Sequence, residues 1–254
     1  MRYKYDGQIY DSSLPPYGGK YPFKASATYT QISQGDTTYS MQGGAIKGNY
    51  LYWTMTKGDS TSRIYKYDIT NASIDSYVDG SYGHAGDLTY NSNEDLLVTL
   101  YGQTSTTSFY FLSPSDMSLQ ATKALSTTGE RVGAIAFNPR TNGYIFELSA
   151  NGNWTNYHFA KADANLNILE TYTAIKNGYL LQGIECDGEY VYALYANPNV
   201  IIVYDMDFNY VGYHTVGFST ESEFVCKYNE GTFYVGENGN KYVYQVTRNY
   251  DWIS

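Results

Sequence analysis

Residues 131–148 read RVGAIAFNPRTNGYIFEL: a run of small and apolar residues, a turn containing Asn and Gly, and a second apolar run. Two such runs flanking a turn of this composition are typical of antiparallel strands joined by a tight connection. Four other segments repeat the pattern, and an apolar residue anchors the first strand of each. The anchors are Ile46, Leu88, Ile135, Ile184 and Phe224. Their separations of about 40 to 50 residues are typical of propeller blades.

The end of the repeat indicates how the ring closes. Each of the first four units continues into a third and a fourth strand, whereas the fifth ends after its third. The segment FKASATYTQI from Phe23 resembles LETYTAI from Leu169, which is the fourth strand of the third unit. We therefore predict an all-β, five-bladed β-propeller over residues 23–254, closed by an N-terminal strand that completes the last blade. Residues 1–22 are predicted to form an N-terminal arm.

Charge and composition exclude some partners. The chain has 254 residues, a net charge of −9 and a pI near 4.7, so it lacks the clustered Lys and Arg that nucleic-acid binding requires. No segment approaches the apolar length of a membrane span, and the start, MRYKYDGQIYDSS, has no apolar signal-peptide core. We expect no nucleic-acid partner, no membrane insertion and synthesis in a cytoplasm without a signal peptide.

The two cysteines occupy equivalent positions in neighbouring units. Cys186 and Cys226 each lie two residues after an anchor, on the predicted inner strands. Equivalent positions of adjacent blades should be too far apart for a disulfide, whose Cα atoms lie within about 7 Å. We predict two buried free thiols.

Residues just before the anchors should line the mouth of the central channel. Small residues dominate there, and five polar residues stand out as candidate ligand-binding groups: His84, Asp87, Arg131, Gln182 and Glu223. A few converging polar groups in a rim of small residues are typical of a ligand site. For His84 and Asp87 three interpretations stay open. They could contact a ligand, act as acid and base, or hold adjacent blades together, with Asp87 accepting backbone N–H groups of a neighbouring blade.

No sequence pattern indicates a known catalytic or cofactor site. The chain contains no GxSxG, HExxH, P-loop, Rossmann or CxxC motif, and one His with Asp87 and Glu223 gives too few metal ligands. We therefore predict no catalytic residue, no metal and no cofactor, and regard enzymatic activity as the less favoured alternative.

Three segments carry a resemblance to a known family. They are GHAGDLTYNSNEDLLVT from Gly83, GAIAFNPRTNGYIFEL from Gly133 and LLQGIECDGEYVYALY from Leu180. With the pattern H-A-x-D-[LM]-T-Y-[ND], this sequence resembles the five-bladed propeller of receptor-binding and tail proteins of phages that infect Gram-positive bacteria. The resemblance covers roughly residues 23–250. Gly86 stands where the family commonly has Asn.

The resemblance implies a non-enzymatic role in host attachment. It implies a virion protein of the tail or tail fibre that recognises a bacterial cell-surface glycan, either teichoic-acid-like or polysaccharide, with His84 and Asp87 at the site. Its partners would be the cell-wall glycan and other virion tail proteins. Two alternatives remain: a propeller hydrolase or lyase acting on that glycan, and a structural tail subunit that docks other virion proteins.

Overall fold

The structure is a computed structural model that describes residues 3–5, 8–10, 25–103, 105–150, 156–173, 179–196, 198–229 and 231–250. Every regular element in these residues is a β-strand. Within the same ranges, no helix is long and apolar enough to cross a membrane. The all-β class predicted from the sequence is confirmed.

The predicted N-terminal arm is described only at two short strands. Strand β1 (Tyr3–Tyr5) pairs antiparallel with β2 (Gln8–Tyr10). The rest of residues 1–22 lies outside the described residues, so the proposed boundary of the arm stays a prediction.

Four of the five blades are continuous in sequence, and each is an antiparallel sheet whose strands follow chain order from the channel outward. Blade 1 contains β4 (Ser40–Lys47), β5 (Tyr50–Lys57), β6 (Thr61–Asp68) and β7 (Ser73–Gly80). Blade 2 contains β8 (Leu88–Asn91), β9 (Leu96–Gly102), β10 (Thr106–Leu112) and β11 (Leu119–Ser126). Blade 3 contains β12 (Arg131–Asn138), β13 (Gly143–Ser149), β14 (Tyr157–Ala162) and β15 (Ile168–Thr171). Blade 4 contains β16 (Leu180–Cys186), β17 (Tyr190–Ala196), β18 (Val200–Asp205) and β19 (Tyr210–Thr215).

Blade 5 joins the two ends of the chain. Its first three strands are β20 (Ser222–Asn229), β21 (Thr232–Glu237) and β22 (Tyr242–Tyr250), and its outer strand is β3 (Ala25–Gln34). Strand β3 pairs antiparallel with β22 along its length. The inner strands of successive blades contact one another around the ring, including β20 with β4. The five-bladed propeller and its closure by an N-terminal strand are therefore confirmed.

The core is divided among the interfaces between blades. Five hydrophobic clusters each join residues of two adjacent blades, and together they span all five interfaces. At the closing interface, Trp53 of blade 1 and Phe224 of blade 5 are both buried in one cluster. Fully burying one such side chain stabilises the fold by about 1.5–3 kcal/mol. The sequence repeats because each blade must bury both of its faces.

Many of the tyrosines belong to this core rather than to the surface. Tyr52, Tyr144, Tyr157, Tyr195 and Tyr234 are among the largest fully buried side chains. The high tyrosine content therefore arises in large part from strands packed on both faces, where aromatic residues are favoured.

The two cysteines are buried free thiols on β16 and β20, as predicted. Burial raises the pKa of Cys186 to about 12 and that of Cys226 well above its usual value. Both thiols are therefore held in the unreactive protonated form.

Candidate functional site

A cavity of about 760 Å³ opens at the end of the channel where the inner strands begin. We call this cavity the mouth pocket. All five blades contribute to its lining. Its polar lining consists of Ser40, Gln42, Asp59, His84, Gln103, Arg131, Glu147, Gln182, Glu221, Glu223 and Asn238. Its apolar lining includes Leu100, Tyr101, Leu180 and Leu181.

Irregularities in the inner strands turn polar side chains toward the mouth pocket. The pairing register shifts across Gln42 and Gly43 in β4, at Gly133 in β12, at Gln182 in β16 and at Glu223 in β20. A β-bulge leaves its extra residue outside the ladder and bends the strand, which redirects a side chain. Gln42, Gln182 and Glu223 therefore face the channel from three blades for the same local reason.

Four of the five predicted ligand-binding residues line the mouth pocket, and one does not. His84, Arg131, Gln182 and Glu223 are part of its lining. Asp87 is instead 1% exposed and lies inside the channel. The convergence of residues from four blades follows from ring closure, whereas a role in binding a ligand stays a prediction for each of them.

Asp87 ties together three blades from the channel interior. Its Oδ1 accepts the backbone N–H of Leu88 at 2.8 Å, and its Oδ2 accepts that of Ile135 in blade 3 at 2.9 Å. The N–H of Ile184 in blade 4 lies at 3.5 Å from the same Oδ2. Burial raises the pKa of Asp87, and these backbone hydrogen bonds oppose the rise. Of the three interpretations that the sequence allowed for Asp87, this geometry matches the one in which its carboxyl accepts backbone N–H groups of a neighbouring blade.

The wall at blade 2 combines an aromatic surface with a polar rim, to which Asp59 in the β5–β6 turn of blade 1 contributes. His84 Nδ1 lies 3.1 Å from Asp59 Oδ1, and both side chains are exposed. Below them the Tyr101 ring packs against Gly83, where an added Cβ would lie 2.4 Å from the ring. Gly83 also has a φ of 63°, a conformation that favours glycine. The glycine before His84 therefore serves to admit the Tyr101 ring.

The blade 3 wall holds Arg131 and Glu147, and each of these groups affects the pKa of the other. A Cβ at Gly133 would lie 2.1 Å from Glu147 Oε2, so the bulge glycine creates the space for this carboxyl. Burial raises the pKa of Glu147 to about 7, although the Arg131 guanidinium opposes the rise. Burial also lowers the pKa of Arg131, and Glu147 opposes that change. Glu147 is therefore poised to gain or lose a proton near neutral pH.

Blades 4 and 5 form a wall of amides and carboxyls. Gln182 Nε2 donates a hydrogen bond to Glu221 Oε1, and Asn238 Oδ1 accepts the backbone N–H of Met41 at 3.0 Å. Glu223 is 5% exposed, and burial, reinforced by the negative charge of Glu221, raises its pKa well above the usual value. The neutral form of the Glu223 carboxyl is thereby favoured, so it can donate as well as accept a hydrogen bond.

Several lining residues were not predicted as site residues. Glu147 and Tyr101 lie within the second strands β13 and β9, and Asn238 directly follows the second strand β21. The sequence argument considered only residues that precede an anchor. Gln42 precedes its anchor by four residues, as His84 and Arg131 do, but it was not selected among the polar candidates. A sequence signal existed for Glu147, since a charged residue interrupts the otherwise apolar run YIFEL.

The donor set of the mouth pocket does not match a metal centre. In the part of the chain that the structure describes, no three or more His, Cys, Asp or Glu side chains are grouped so as to hold a metal ion. The pocket instead offers amides, carboxyls, one guanidinium, one imidazole and an aromatic ring. These groups bind organic ligands through hydrogen bonds and stacking.

The fold and the site define this protein as a five-bladed β-propeller with a polar pocket at one end of its channel. No protein-family model matches the chain, and no curated protein sequence matches it either.

Proposed function

We propose that this propeller is a non-enzymatic receptor-binding module that recognises a bacterial cell-surface glycan in its mouth pocket. The observation that carries the proposal is the composition of the pocket wall. Amide and carboxyl groups of blades 4 and 5 lie across the channel from Tyr101 and Leu100 of blade 2. Sugars have polar edges and apolar faces, so a pocket with one wall of each kind suits them.

The biological setting in this proposal rests on the sequence resemblance to phage tail propellers. We propose that the protein belongs to a virion, in the tail or tail fibre, of a phage that infects Gram-positive bacteria. Its partners would then be the cell-wall glycan and other tail proteins. The net negative charge of the chain is consistent with this setting, since it argues against nucleic acid as the ligand.

Sedimentation with purified cell walls of Gram-positive bacteria tests the proposal. The wild-type protein should sediment with the walls, and Tyr101→Ala and Gln182→Leu should each weaken binding about 5-fold or more. Tyr77→Ala is the matched control, because Tyr77 is an exposed tyrosine on the outer strand β7, away from the pocket. Binding that responds equally to the Tyr77 and Tyr101 substitutions would contradict the site assignment.

A glycan hydrolase or lyase is the second candidate, and Glu147 is the observation that favours it. Glu147, with a pKa of about 7, and Glu223, whose pKa is also raised, lie in the same pocket. Glycoside cleavage usually uses two carboxyl groups, of which one has a raised pKa and acts as the general acid. The test is the release of soluble fragments from wall polymer. An enzyme would lose this activity in Glu147→Gln while still binding the walls, and no release by the wild type would exclude this candidate for the polymer tested.

A further inference from the structure

The turn between β21 and β22 holds a lysine against an amide instead of against a carboxylate. Lys241 Nζ donates to Asn238 Oδ1 at 2.6 Å and to the Asn238 backbone carbonyl, and in the described part of the chain all of its hydrogen bonds go to this residue. Lys47, Lys161 and Lys227, by contrast, each pair with a carboxylate. The amine of lysine is a nucleophile once it has lost its proton. The negative charge of a carboxylate resists such an attack, whereas a carboxamide carbon is open to it.

The side-chain carbonyl of Asn238 is fixed in place from a second blade. Its Oδ1 accepts the backbone N–H of Met41 in blade 1 at 3.0 Å. The Asn238 backbone N–H donates to the Glu221 carbonyl at 2.8 Å, which holds the main chain at the start of the turn. A donor aimed at a carbonyl oxygen stabilises the negative charge that develops there when a nucleophile adds to the carbon. The Met41 N–H is therefore positioned as an oxyanion donor.

Glu223 is positioned to move a proton between the two nitrogens. Its buried carboxyl hydrogen-bonds to the Asn238 side chain, and the Lys241 charge acts on the same carboxyl. Because Asn238 Oδ1 already accepts two hydrogen bonds, we assign the contact with Glu223 to the Nδ2 amide group. Burial raises the pKa of Glu223 and so favours its neutral form. A neutral carboxyl can give a proton from one oxygen while it accepts one at the other.

The backbone of the turn is adapted to bring these groups together. A Cβ at Gly239 would lie 2.6 Å from Glu237 Oε1, which accepts the Gly239 N–H at 2.9 Å, so a side chain at this position would collide. Lys241 has a φ of 62°, a left-handed conformation that is uncommon for a residue with a side chain. Such backbone strain persists where the surrounding structure imposes it. Here the strained residue is the one that carries the nucleophile.

We propose that Lys241 and Asn238 form an intramolecular isopeptide bond. The Lys241 ammonium first loses a proton to the solvent, and its amine attacks Cγ of Asn238, so that the Nζ–Cγ bond forms and the Cγ–Nδ2 bond breaks. Glu223 accepts a proton from Nζ and donates one to Nδ2, which leaves as ammonia. The ammonia takes up a proton from the solvent in place of the one that Lys241 released. The reaction therefore balances without an oxidant, a reductant or an external reagent.

The bond fixes the blade 5 wall of the mouth pocket. Asn238 lines the pocket, and its contact with Met41 joins blade 5 to blade 1 where the ring closes. A covalent link to Lys241 holds the Asn238 side chain in this position and removes one positive charge from the wall. The inference is independent of the proposed recognition of a glycan, because the reaction takes place within the chain itself.

Mass spectrometry of a tryptic digest of the whole protein tests the proposal. Trypsin should not cleave after Lys241, because the linked side chain has no positive charge, so residues 228–248 should remain one peptide. This peptide should be lighter than its sequence by one ammonia. Cleavage after Lys241 with no loss of ammonia would overturn the proposal. Loss of ammonia with normal cleavage would also overturn it, since it indicates a succinimide formed by Asn238 with the nitrogen of Gly239.

Two variants and a control assign the roles of the residues. Lys241→Arg should form no link, because a guanidinium stays protonated, and a loss of ammonia from its Asn238 would contradict the proposal. Glu223→Gln should lower the linked fraction at least about 10-fold, since general acid–base catalysis typically contributes about 10²–10⁴-fold to a rate. Lys47→Arg is the matched control and should be linked as fully as the wild type, because Lys47 pairs with the Asp95 carboxylate.

Circular dichroism establishes that each variant is folded. An equal linked fraction in folded Glu223→Gln would overturn the role of that carboxyl as a proton relay. If Glu223→Gln does not fold, the digests of the wild type and of Lys241→Arg still decide whether the bond exists. Neither result bears on sedimentation with cell walls, so failure of this proposal is distinguishable from failure of the proposed function.

Discussion

Two kinds of buried carboxyl lie along the channel of this propeller, and they differ in what surrounds their oxygens. Asp87, in the channel interior, accepts backbone N–H groups from its own blade and from blades 3 and 4. Glu147 and Glu223 are almost as deeply buried, yet they face an open cavity. Burial raises the pKa of all three groups. The comparison teaches that burial and a raised pKa alone do not distinguish a carboxyl that bonds adjacent blades from one that lines a cavity, whereas the partners of the carboxyl do.

Replacing Asp87 should have the largest effect on stability. Asp87→Ala leaves the N–H groups of Leu88 and Ile135 buried without an acceptor, so the free energy of unfolding should fall by about 3 kcal/mol. Urea denaturation measures the loss, and Asp59→Ala, at an exposed rim carboxyl, is the control with an expected change within about 0.5 kcal/mol. A loss as small as the control's would mean that Asp87 does not hold the blades together.

A methyl group at Gly43, on β4 of blade 1, should disturb the packing of blade 1 against the Asp87–Leu88 backbone of blade 2. The added Cβ would lie 2.2 Å from the backbone nitrogen of Leu88, so β4 or the Asp87 segment must shift. We expect Gly43→Ala to lower the free energy of unfolding by about 2 kcal/mol. Equal urea midpoints for the variant and the wild type would show that the interior is looser than this packing implies.

The pH dependence of stability should distinguish the mouth carboxyls from ordinary surface acids. The pKa of Glu147 is about 7 in the folded protein and near 4.5 in the unfolded chain, so the unfolded state releases this proton first. The contribution of Glu147 to the free energy of unfolding is therefore fully present below about pH 4.5, and it is lost as the pH rises toward 7.

Glu147→Gln should remove this loss. Between pH 5 and pH 8, the free energy of unfolding should decline by about 1–2 kcal/mol less in the variant than in the wild type. Urea denaturation of both proteins at pH 5 and at pH 8 measures this difference. The other titrating groups are common to the two proteins, so their contribution cancels when the two declines are subtracted. The same decline in both proteins would show that Glu147 titrates normally.

The smallest effect on stability is expected at Gly86. An added Cβ there would meet its nearest neighbour, in His84, at 3.8 Å, and Gly86 is not among the glycines with positive φ. Gly86→Ala should therefore change the free energy of unfolding by less than about 0.5 kcal/mol. Because Gly86 lines the mouth pocket, the same methyl should weaken wall binding, which sedimentation with cell walls would detect. Destabilisation comparable to that of Gly43→Ala would mean that the mouth is packed as tightly as the interior.

The sequence predicted the mouth of the channel but not all of its residues. Ring closure brings His84, Arg131, Gln182 and Glu223 to one cavity, as their common position before the anchors indicated. Tyr101 and Glu147 could not be found in this way, because they belong to second strands. Gln42 precedes its anchor by four residues, as His84 and Arg131 do, but an uncharged amide at that position gave no sequence signal that singled it out.

The sequence by itself determined the number of blades, the closing strand and the free state of the cysteines. These features follow from the repeated burial pattern, which is local in each unit and visible in the chain. Only the tertiary structure decided that Asp87 bonds to neighbouring blades while Glu147 and Glu223 face a cavity. The physical reason is that the environment of a carboxyl in a propeller is set by other blades, tens of residues away in sequence. It is also set by bulges whose lengths depend on packing across the ring.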